Sequence, residues 1–482
     1  MPAVVVSGGR SVRDERAVPV PRPSAWDWLQ GYVLAPGVAL ASRAALRRSR
    51  NRQAILACQD RRVRTLVRHI RENVPYYATR LGALGITPED VHGVADLDVL
   101  PLVARDDLQQ LSGLFVATDR SLRGCERWGT SGTTGRPIRV LKPVHWQLSF
   151  YARMQARLPQ LGLRPSDFRV FGPNYVYVSD TESAPEGRRY TARLPIFRMS
   201  RFEKVDVRPE FHEFPLAPVE LISRFRPVIL IGKPSSLARL AALMASGGHS
   251  ERFPIRPRVV LTGAEQLTPE TRTSLAHSFA CPVFDSYGTT ETGLVGCECG
   301  AFAGFHFEDD AVLVEVVRDG VRVPPGGVGE LVVTDLVNLT MPIVRYCTGD
   351  LGRVTYERCT CGLAYPRIVE LQGRVVDLFE SPSGELFNPF VLLGALPKIG
   401  LRQYQLVQIS PHRVVVRFVG DASSEAVVAA VAKEIRANLG DDASITAERV
   451  DAIDIPGRKT RLYVNAMRQE NPEPHTPDEP PH

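Results

Sequence analysis

The sequence predicts an α/β protein: a large N-terminal α/β region with a helical extension, followed by a small C-terminal α+β unit. Three observations carry this. Between Cys125 and about Gly373, short β-rich runs alternate with amphipathic stretches, as in a parallel sheet with crossover helices. Ahead of that region, apolar residues recur at three- and four-residue steps. After it, from about Leu378 to Met467, two strand patterns, a helical pattern and two further strand patterns follow one another.

In chain order, residues 1–25 are rich in Pro, Arg and Val without periodicity and are expected to form a poorly ordered arm. The apolar stretch Tyr32–Ala45 is broken by Pro36 and Gly37 and is too short to span a bilayer. Ile55, Leu56, Val63, Leu66, Val67 and Ile70 mark one face of a helix over Ala54–Asn73. Val74-Pro75 ends it, because the residue before proline avoids the α region. Thr87-Pro88-Glu89-Asp90 marks another helix start, with Thr87 as cap. In the alternating region, Phe168–Phe171, Val228–Ile231, Val259–Leu261 and Val283–Asp285 are expected strands, and Ser235–Ala245 and Pro269–Phe279 expected helices. Val312–Val317 and Glu330–Thr334 belong to a later antiparallel section. In the C-terminal unit, Tyr404–Ile409, Arg413–Val419, Ile445–Val450 and Leu462–Asn465 are expected strands and Glu425–Leu439 a helix. The expected division is an arm at 1–25, a large domain at 26–373, a small domain at 374–468 and a polar, Pro-rich, disordered tail at 469–482.

Composition narrows the function class. The chain has 482 residues, 44% hydrophobic and 23% charged, enough for a large core without disulfides. Its 59 basic residues are spread among 53 acidic ones, which reads as an Arg-rich solvated surface and not a nucleic-acid face. Eight cysteines in a chain this long, without a secretory signal, point to a reduced cytoplasmic compartment and no membrane association. Only six of the basic residues are lysines: Lys142, Lys204, Lys233, Lys398, Lys433 and Lys459. Any functional lysine is among them.

Five motifs carry chemistry. Gly129-Thr130-Ser131-Gly132-Thr133-Thr134-Gly135-Arg136-Pro137 has the small residues that let backbone N–H groups and hydroxyls approach phosphate oxygens. It lacks the Gly-Lys-[Ser/Thr] ending of a Walker A loop and, read alone, is either a phosphate cradle or a surface loop. Asp285-Ser286-Tyr287-Gly288-Thr289-Thr290-Glu291-Thr292 follows a buried strand, where open α/β sheets bind ligands. Its ring can stack on a base and its carboxylate can hold Mg²⁺; the bland alternative is a turn and a capped helix start. Arg345-Tyr346-Cys347-Thr348-Gly349-Asp350 offers a carboxylate on a tight turn for ribose hydroxyls. Gly373-Arg374-Val375-Val376-Asp377 falls at the junction to the small unit. Ile455-Pro456-Gly457-Arg458-Lys459 places a compact cation on a turn, either an exposed basic loop or a group that neutralises developing charge.

Together these motifs, in this order over roughly Trp128–Lys459, resemble the adenylate-forming (AMP-binding) superfamily and in particular its phenylacetate–coenzyme A ligase branch. Ile138, where many members of the superfamily carry Lys, and Asn73-Val74-Pro75-Tyr76-Tyr77 both point to that branch. The resemblance implies an adenylate-forming α/β domain and a mobile C-terminal lid, with ATP, Mg²⁺ and coenzyme A as cofactors. It implies phosphate contacts from Thr130, Ser131, Gly132, Thr133, Thr134 and Gly135, and adenine-side contacts from Gly263, Ala264, Glu265, Asp285, Tyr287 and Gly288. It assigns Thr290 to the α-phosphate, Glu291 to Mg²⁺, Asp350 and Arg374 to the ribose, and Lys459 to catalysis of adenylation. The polar hinge residue of the family is Val376 here, leaving Asp377 as a substitute.

Cys297-Glu298-Cys299 and Cys359-Thr360-Cys361, with His306 after the first pair, are soft ligands in number for tetrahedral Zn²⁺ and resemble a structural zinc set in some ligases of the branch. Reduced cysteines on adjacent loops are the other reading. The expected activity is ATP-dependent activation of a carboxylic acid, aryl or arylacetic, through acyl-AMP and its transfer to a thiol. Transfer to an amine or carrier protein, and nucleotide binding without turnover, are the alternatives.

Overall fold

The computed structural model describes residues 25–129, 138–169, 174–179, 190–193, 201–207, 217–246, 249–374, 378–387, 389–392, 396, 399, 401, 403–451, 453 and 463–469. The arm at 1–24, the tail from 470 and the junction residues Val376 and Asp377 lie outside them. No helix among the described residues is long and apolar enough to cross a membrane.

The N-terminal region is helical: Ala25–Arg48, Arg52–Asn73 and Pro75–Ala83. The first runs through Pro36 and Gly37, so the break these residues make in the apolar stretch does not interrupt the helix. Asn51 caps the second, its side chain accepting from the Ala54 N–H at 3.1 Å. Val74, at φ −114° and ψ 107°, stops it as Pro75 requires.

What fastens these helices is ionic as well as apolar. Glu308, Asp309 and Asp310 are all buried. Arg48 pairs with Asp310 and Arg52 with Asp309, while Arg153 and Arg157 hold Glu308 at 3.3 and 2.7 Å. Arg153, Arg345 and Arg367 are themselves buried, exceptions among the described arginines to the solvated surface expected. A buried carboxylate cluster is tolerable only with such partners, and forked guanidinium groups supply several donors each.

Among the described residues, thirteen strands form one sheet. Arg201–Asp206, Tyr175–Ser179, Ile229–Gly232, Val259–Gly263 and Val283–Thr289 run parallel in that spatial order. Gly293–Cys297 then pairs antiparallel with Val283–Thr289, and Phe305–Phe307, Arg367–Arg374, Tyr346–Thr355, Val328–Asp335 and Val312–Arg318 continue antiparallel. The helices Ala217–Phe225, Pro234–Ala245 and Pro269–Phe279 cover the parallel part through Ile222, Leu237, Leu240, Leu275 and Phe279. The expected strand at Phe168–Phe171 is not formed at Phe168 and Arg169; the strand is Tyr175–Ser179 instead. The Asn174 side chain bonds both the Arg169 N–H and its carbonyl, at 3.0 and 2.8 Å, so these backbone groups are already satisfied and not in a strand ladder.

The C-terminal unit has its own four-stranded sheet, in the order Ser444–Arg449, Arg413–Val419, Gln403–Ser410, Tyr463–Asn465. The helix Ser424–Leu439, capped by Ser423, lays Val427, Val431, Ile435 and Leu439 on Val414, Val416 and Phe418. These are the elements expected from the sequence, within two residues at each end.

Candidate active site

The second motif lies within a hairpin. Asp285 to Thr289 belong to the strand Val283–Thr289 itself, and Thr290-Glu291-Thr292 form the turn into Gly293–Cys297. No helix starts there. A Cβ on Gly288 would lie 2.7 Å from the Gly293 carbonyl, so glycine is what lets the two strands close. The Thr289 hydroxyl accepts from the Thr292 N–H at 3.0 Å and fixes the turn.

Glu291 is buried, and its carboxylate is held from two sides. Arg105 and the Tyr346 hydroxyl both donate to Oε1, at 3.2 and 3.0 Å. The carboxylate is a hard oxygen donor of the kind Mg²⁺ takes, and Arg105, about a third exposed, stands on its open side (32%). The residues thus fit such an ion if Arg105 yields its place. The Glu291 carbonyl accepts from Lys142 Nζ at 2.6 Å. Burial pushes the Lys142 ammonium down to about 8, against the opposing pull of Asp335 and Glu291.

The motif around Tyr287 meets the motif around Asp350. Tyr287 donates from its hydroxyl to Asp350 Oδ2 at 2.7 Å, joining two strands that are not neighbours in the sheet. The Tyr287 ring packs with Val295, Phe307 and Val333, and only 7% of the residue is exposed. Asp350 pairs with Arg374 across the antiparallel ladder, which puts both ribose candidates at one level. Gly263 packs so closely on Ser286 that a Cβ would stand 2.7 Å from its hydroxyl. Ala264 has φ 65°, a left-handed conformation uncommon for a residue with a Cβ. Glu265 is 3.6 Å from Lys233 and accepts from the Ser235 N–H at 3.2 Å. Asp285 turns inward: its Oδ1 accepts from the Thr262 hydroxyl at 2.6 Å and from Ser286 N–H at 2.9 Å. Burial raises its pKa to about 6 despite those bonds. Thr130, Ser131, Gly132, Thr133, Thr134 and Gly135 lie outside the described residues, as does Lys459.

At the other end of the same hairpin sits the cysteine cluster. Cys299, His306, Cys359 and Cys361 bring four ligand atoms within 4.8 Å of one another. Two thiolates about 2.3 Å from a tetrahedral Zn²⁺ stand about 3.8 Å apart. Cys299 Sγ and Cys359 Sγ are 3.8 Å apart, and Cys361 Sγ is 3.3 Å from His306 Nε2. His306 Nδ1 lies 3.1 Å from the Tyr365 carbonyl; donation there leaves Nε2 with its lone pair toward the cysteines. Burial holds that imidazole neutral, with its pKa near 4. Cys297 is not in this group. It packs beside Phe168 and Phe284, and burial pushes its thiol up to about 11.

Sequence reading missed Lys142, Arg105 and Tyr346 as partners of Glu291. Lys142 carried a signal, being one of only six lysines; Arg105 carried none among so many arginines.

The AMP-binding enzyme family matches residues 204–338, which include the hairpin and the Gly263-Ala264-Glu265 turn. The chain is 30% identical over 366 residues to a phenylacetate–coenzyme A ligase of Thermus thermophilus, covering 74% of this chain and 78% of that protein. It is 28% identical to one from Pseudomonas putida, over 66% of this chain and 70% of the relative. In fold it is similar to a crystal structure of 2-hydroxyisobutyryl-CoA ligase in the postadenylation state, with a TM-score of 0.67 at 19% identity, covering 87% and 91% of the two chains. A sheet that seats Tyr287, Glu291 and Asp350 together, and a relative this similar over most of its length, place the chain in the phenylacetate–coenzyme A ligase family of AMP-binding enzymes.

Proposed function

We propose that this protein is an AMP-forming acid–thiol ligase that activates an aryl or arylacetic acid with ATP and passes the acyl group to coenzyme A. The observation that carries the reading is the meeting of the Tyr287 and Asp350 motifs beside the Glu291 turn. In the first half-reaction a carboxylate oxygen attacks the α-phosphorus of ATP. The bond from that phosphorus to the pyrophosphate oxygen breaks, leaving acyl-AMP and pyrophosphate. Tyr287 faces adenine, Asp350 and Arg374 take the ribose hydroxyls, and Thr290 with the 130–135 loop orients the phosphates. Glu291 would hold Mg²⁺, whose chemistry is to neutralise charge on the phosphate oxygens. In the second half-reaction the thiol sulfur attacks the acyl carbon, its proton passes to solvent, and the carbon–oxygen bond to AMP breaks. The catalytic gain is positioning and charge stabilisation.

The unit from 374 to 468 serves as a lid whose Lys459 screens the two anions during adenylation and then moves away. Cys299, His306, Cys359 and Cys361 hold a structural Zn²⁺ that ties the loop after Cys297 to the segment before Arg367. The test is product analysis with an arylacetic acid, ATP and Mg²⁺. AMP and an acyl thioester that form only with coenzyme A support the reading; an amide or an acylated carrier protein in their place, with coenzyme A inert, moves the acceptor to another class.

A further inference from the structure

Lys142 ends the strand Arg139–Lys142, which pairs with Glu126–Gly129; the two strands flank the 130–137 loop. Its side chain has no exposure at all. Its ammonium faces the Glu291 carbonyl at 2.6 Å, the Asp335 carboxylate at 3.7 Å, and the Trp146 and Trp128 rings at 4.3 and 5.9 Å from their centroids. A desolvated ammonium is costly unless such partners are fixed in place.

The dependence runs in one direction. Asp335 keeps three other donors: Trp146 Nε1 at 2.7 Å, the Val337 N–H at 2.9 Å and the Asn338 N–H at 3.1 Å. Removing the ammonium therefore leaves Asp335 hydrogen-bonded. The Glu291 carbonyl loses the bond that Lys142 supplies, in the middle of the Thr290–Thr292 turn. Trp146 also braces the far side of that turn, since a Cβ on Gly293 would lie 2.9 Å from its ring.

We propose that Lys142 is a positioning residue of the adenylation site, one that locks the Thr290–Glu291 turn to the strand Arg139–Lys142 through the Glu291 carbonyl. This rests on the ligase reading above. The Lys142 bond ties the turn to a strand 149 residues away in sequence, so the turn is held by tertiary and not local structure.

The test compares full-length wild type with Lys142→Met by two independent readouts. The first is amide hydrogen exchange of the segment 288–294 in the ligand-free protein. The second is ATP–pyrophosphate exchange, set against thioester formation from synthetic acyl-AMP and coenzyme A. The expected result is at least about tenfold faster amide exchange at the turn, and a loss of about tenfold to hundredfold in pyrophosphate exchange, with the KM for the acid and the acyl-AMP rate within about twofold. If Lys142→Met does not melt cooperatively, Lys142→Gln and Trp146→Phe replace it; each is expected to speed turn exchange in the same segment. Unchanged amide exchange at 288–294 overturns the proposal whatever the activity. Equal losses in both half-reactions overturn it too, since they mark a global defect. A wild type that exchanges no pyrophosphate with any acid sinks the ligase reading, and amide exchange then still decides whether Lys142 holds the turn.

Discussion

The two ends of one hairpin, Val283–Thr289 with Gly293–Cys297, are built on opposite principles. At the turn end, Glu291 is held by residues 55, 149 and 186 positions away through individual hydrogen bonds: Lys142 fixes its main chain, while the Tyr346 and Arg105 bonds to its carboxylate are the ones a bound cation would rearrange. At the far end, Cys299 and His306 face Cys359 and Cys361 with soft ligand atoms that a single ion would lock. Between them, Glu298 binds the Asp285 N–H at 2.7 Å and takes a two-pronged bond from Arg272 at 2.8 Å. The proposed Zn²⁺ would make this a division of labour along a single element: rigidity at one end, exchangeable carboxylate contacts at the other.

The sharpest way to break that comparison is Glu291→Gln. The fold should survive, because Lys142 grips the main chain and Tyr346 can still donate to the amide oxygen. Adenylation should fall by about a hundredfold or more, since an amide is a poorer hard-cation ligand. Pyrophosphate exchange at limiting Mg²⁺ measures it; a near-wild-type rate there removes Glu291 from the metal role.

Lys459→Ala should come next, slowing pyrophosphate exchange by at least about tenfold while sparing thioester formation from supplied acyl-AMP. Equal slowing of both steps would assign Lys459 another task.

At the rigid end, elemental analysis of protein purified without chelator should find about one Zn²⁺ per chain. Cys359→Ser should lower the thermal midpoint by several degrees. A metal-free protein whose four ligand positions titrate as free thiols and imidazole would leave that end held by packing alone.

The smallest effect belongs to the middle of the hairpin. Asp285 has its folded pKa raised to about 6 from an ordinary 3.8. Between those values the folded state binds more protons than the unfolded one, so stability falls as pH rises through the window. Asp285→Asn keeps the acceptor for Thr262 and Ser286 but cannot ionise. The variant should lose less stability than wild type between pH 4 and pH 6.5, by about 1–3 kcal/mol in denaturant midpoints converted to free energy. Parallel pH curves for the two proteins would show that Asp285 does not carry this term.

What was legible in the sequence follows the same division. Local patterns sufficed for the Tyr287-to-Thr292 run and for the alternating runs that became parallel strands and covering helices, whereas Asp350, expected on a tight turn, lies within the strand Tyr346–Thr355. The cysteine pairs were legible as ligands, but not which four converge. That choice is tertiary: His306 pairs with Cys297 across the ladder, yet Cys297 packs with Phe168 and Phe284, while the segments that follow bring Cys299, Cys359 and Cys361 to His306. The turn residues themselves were legible, whereas their supports were not. Arg105, Lys142 and Tyr346 reach Glu291 only after the sheet forms, and no spacing in the chain encodes that meeting. The helix through Pro36 and the misplaced Phe168 strand have the same origin, since tertiary packing overrides a local break or a local apolar run.

The most direct measurement is acid-dependent ATP–pyrophosphate exchange by the full-length protein at saturating Mg²⁺, across aryl, arylacetic and short aliphatic carboxylates. Acyl-AMP chemistry at the Glu291 turn predicts exchange that is absent without acid, is strongest with an aryl or arylacetic acid, and disappears when Mg²⁺ is chelated. No exchange with any acid in the panel, from protein that binds ATP and melts cooperatively, would contradict it.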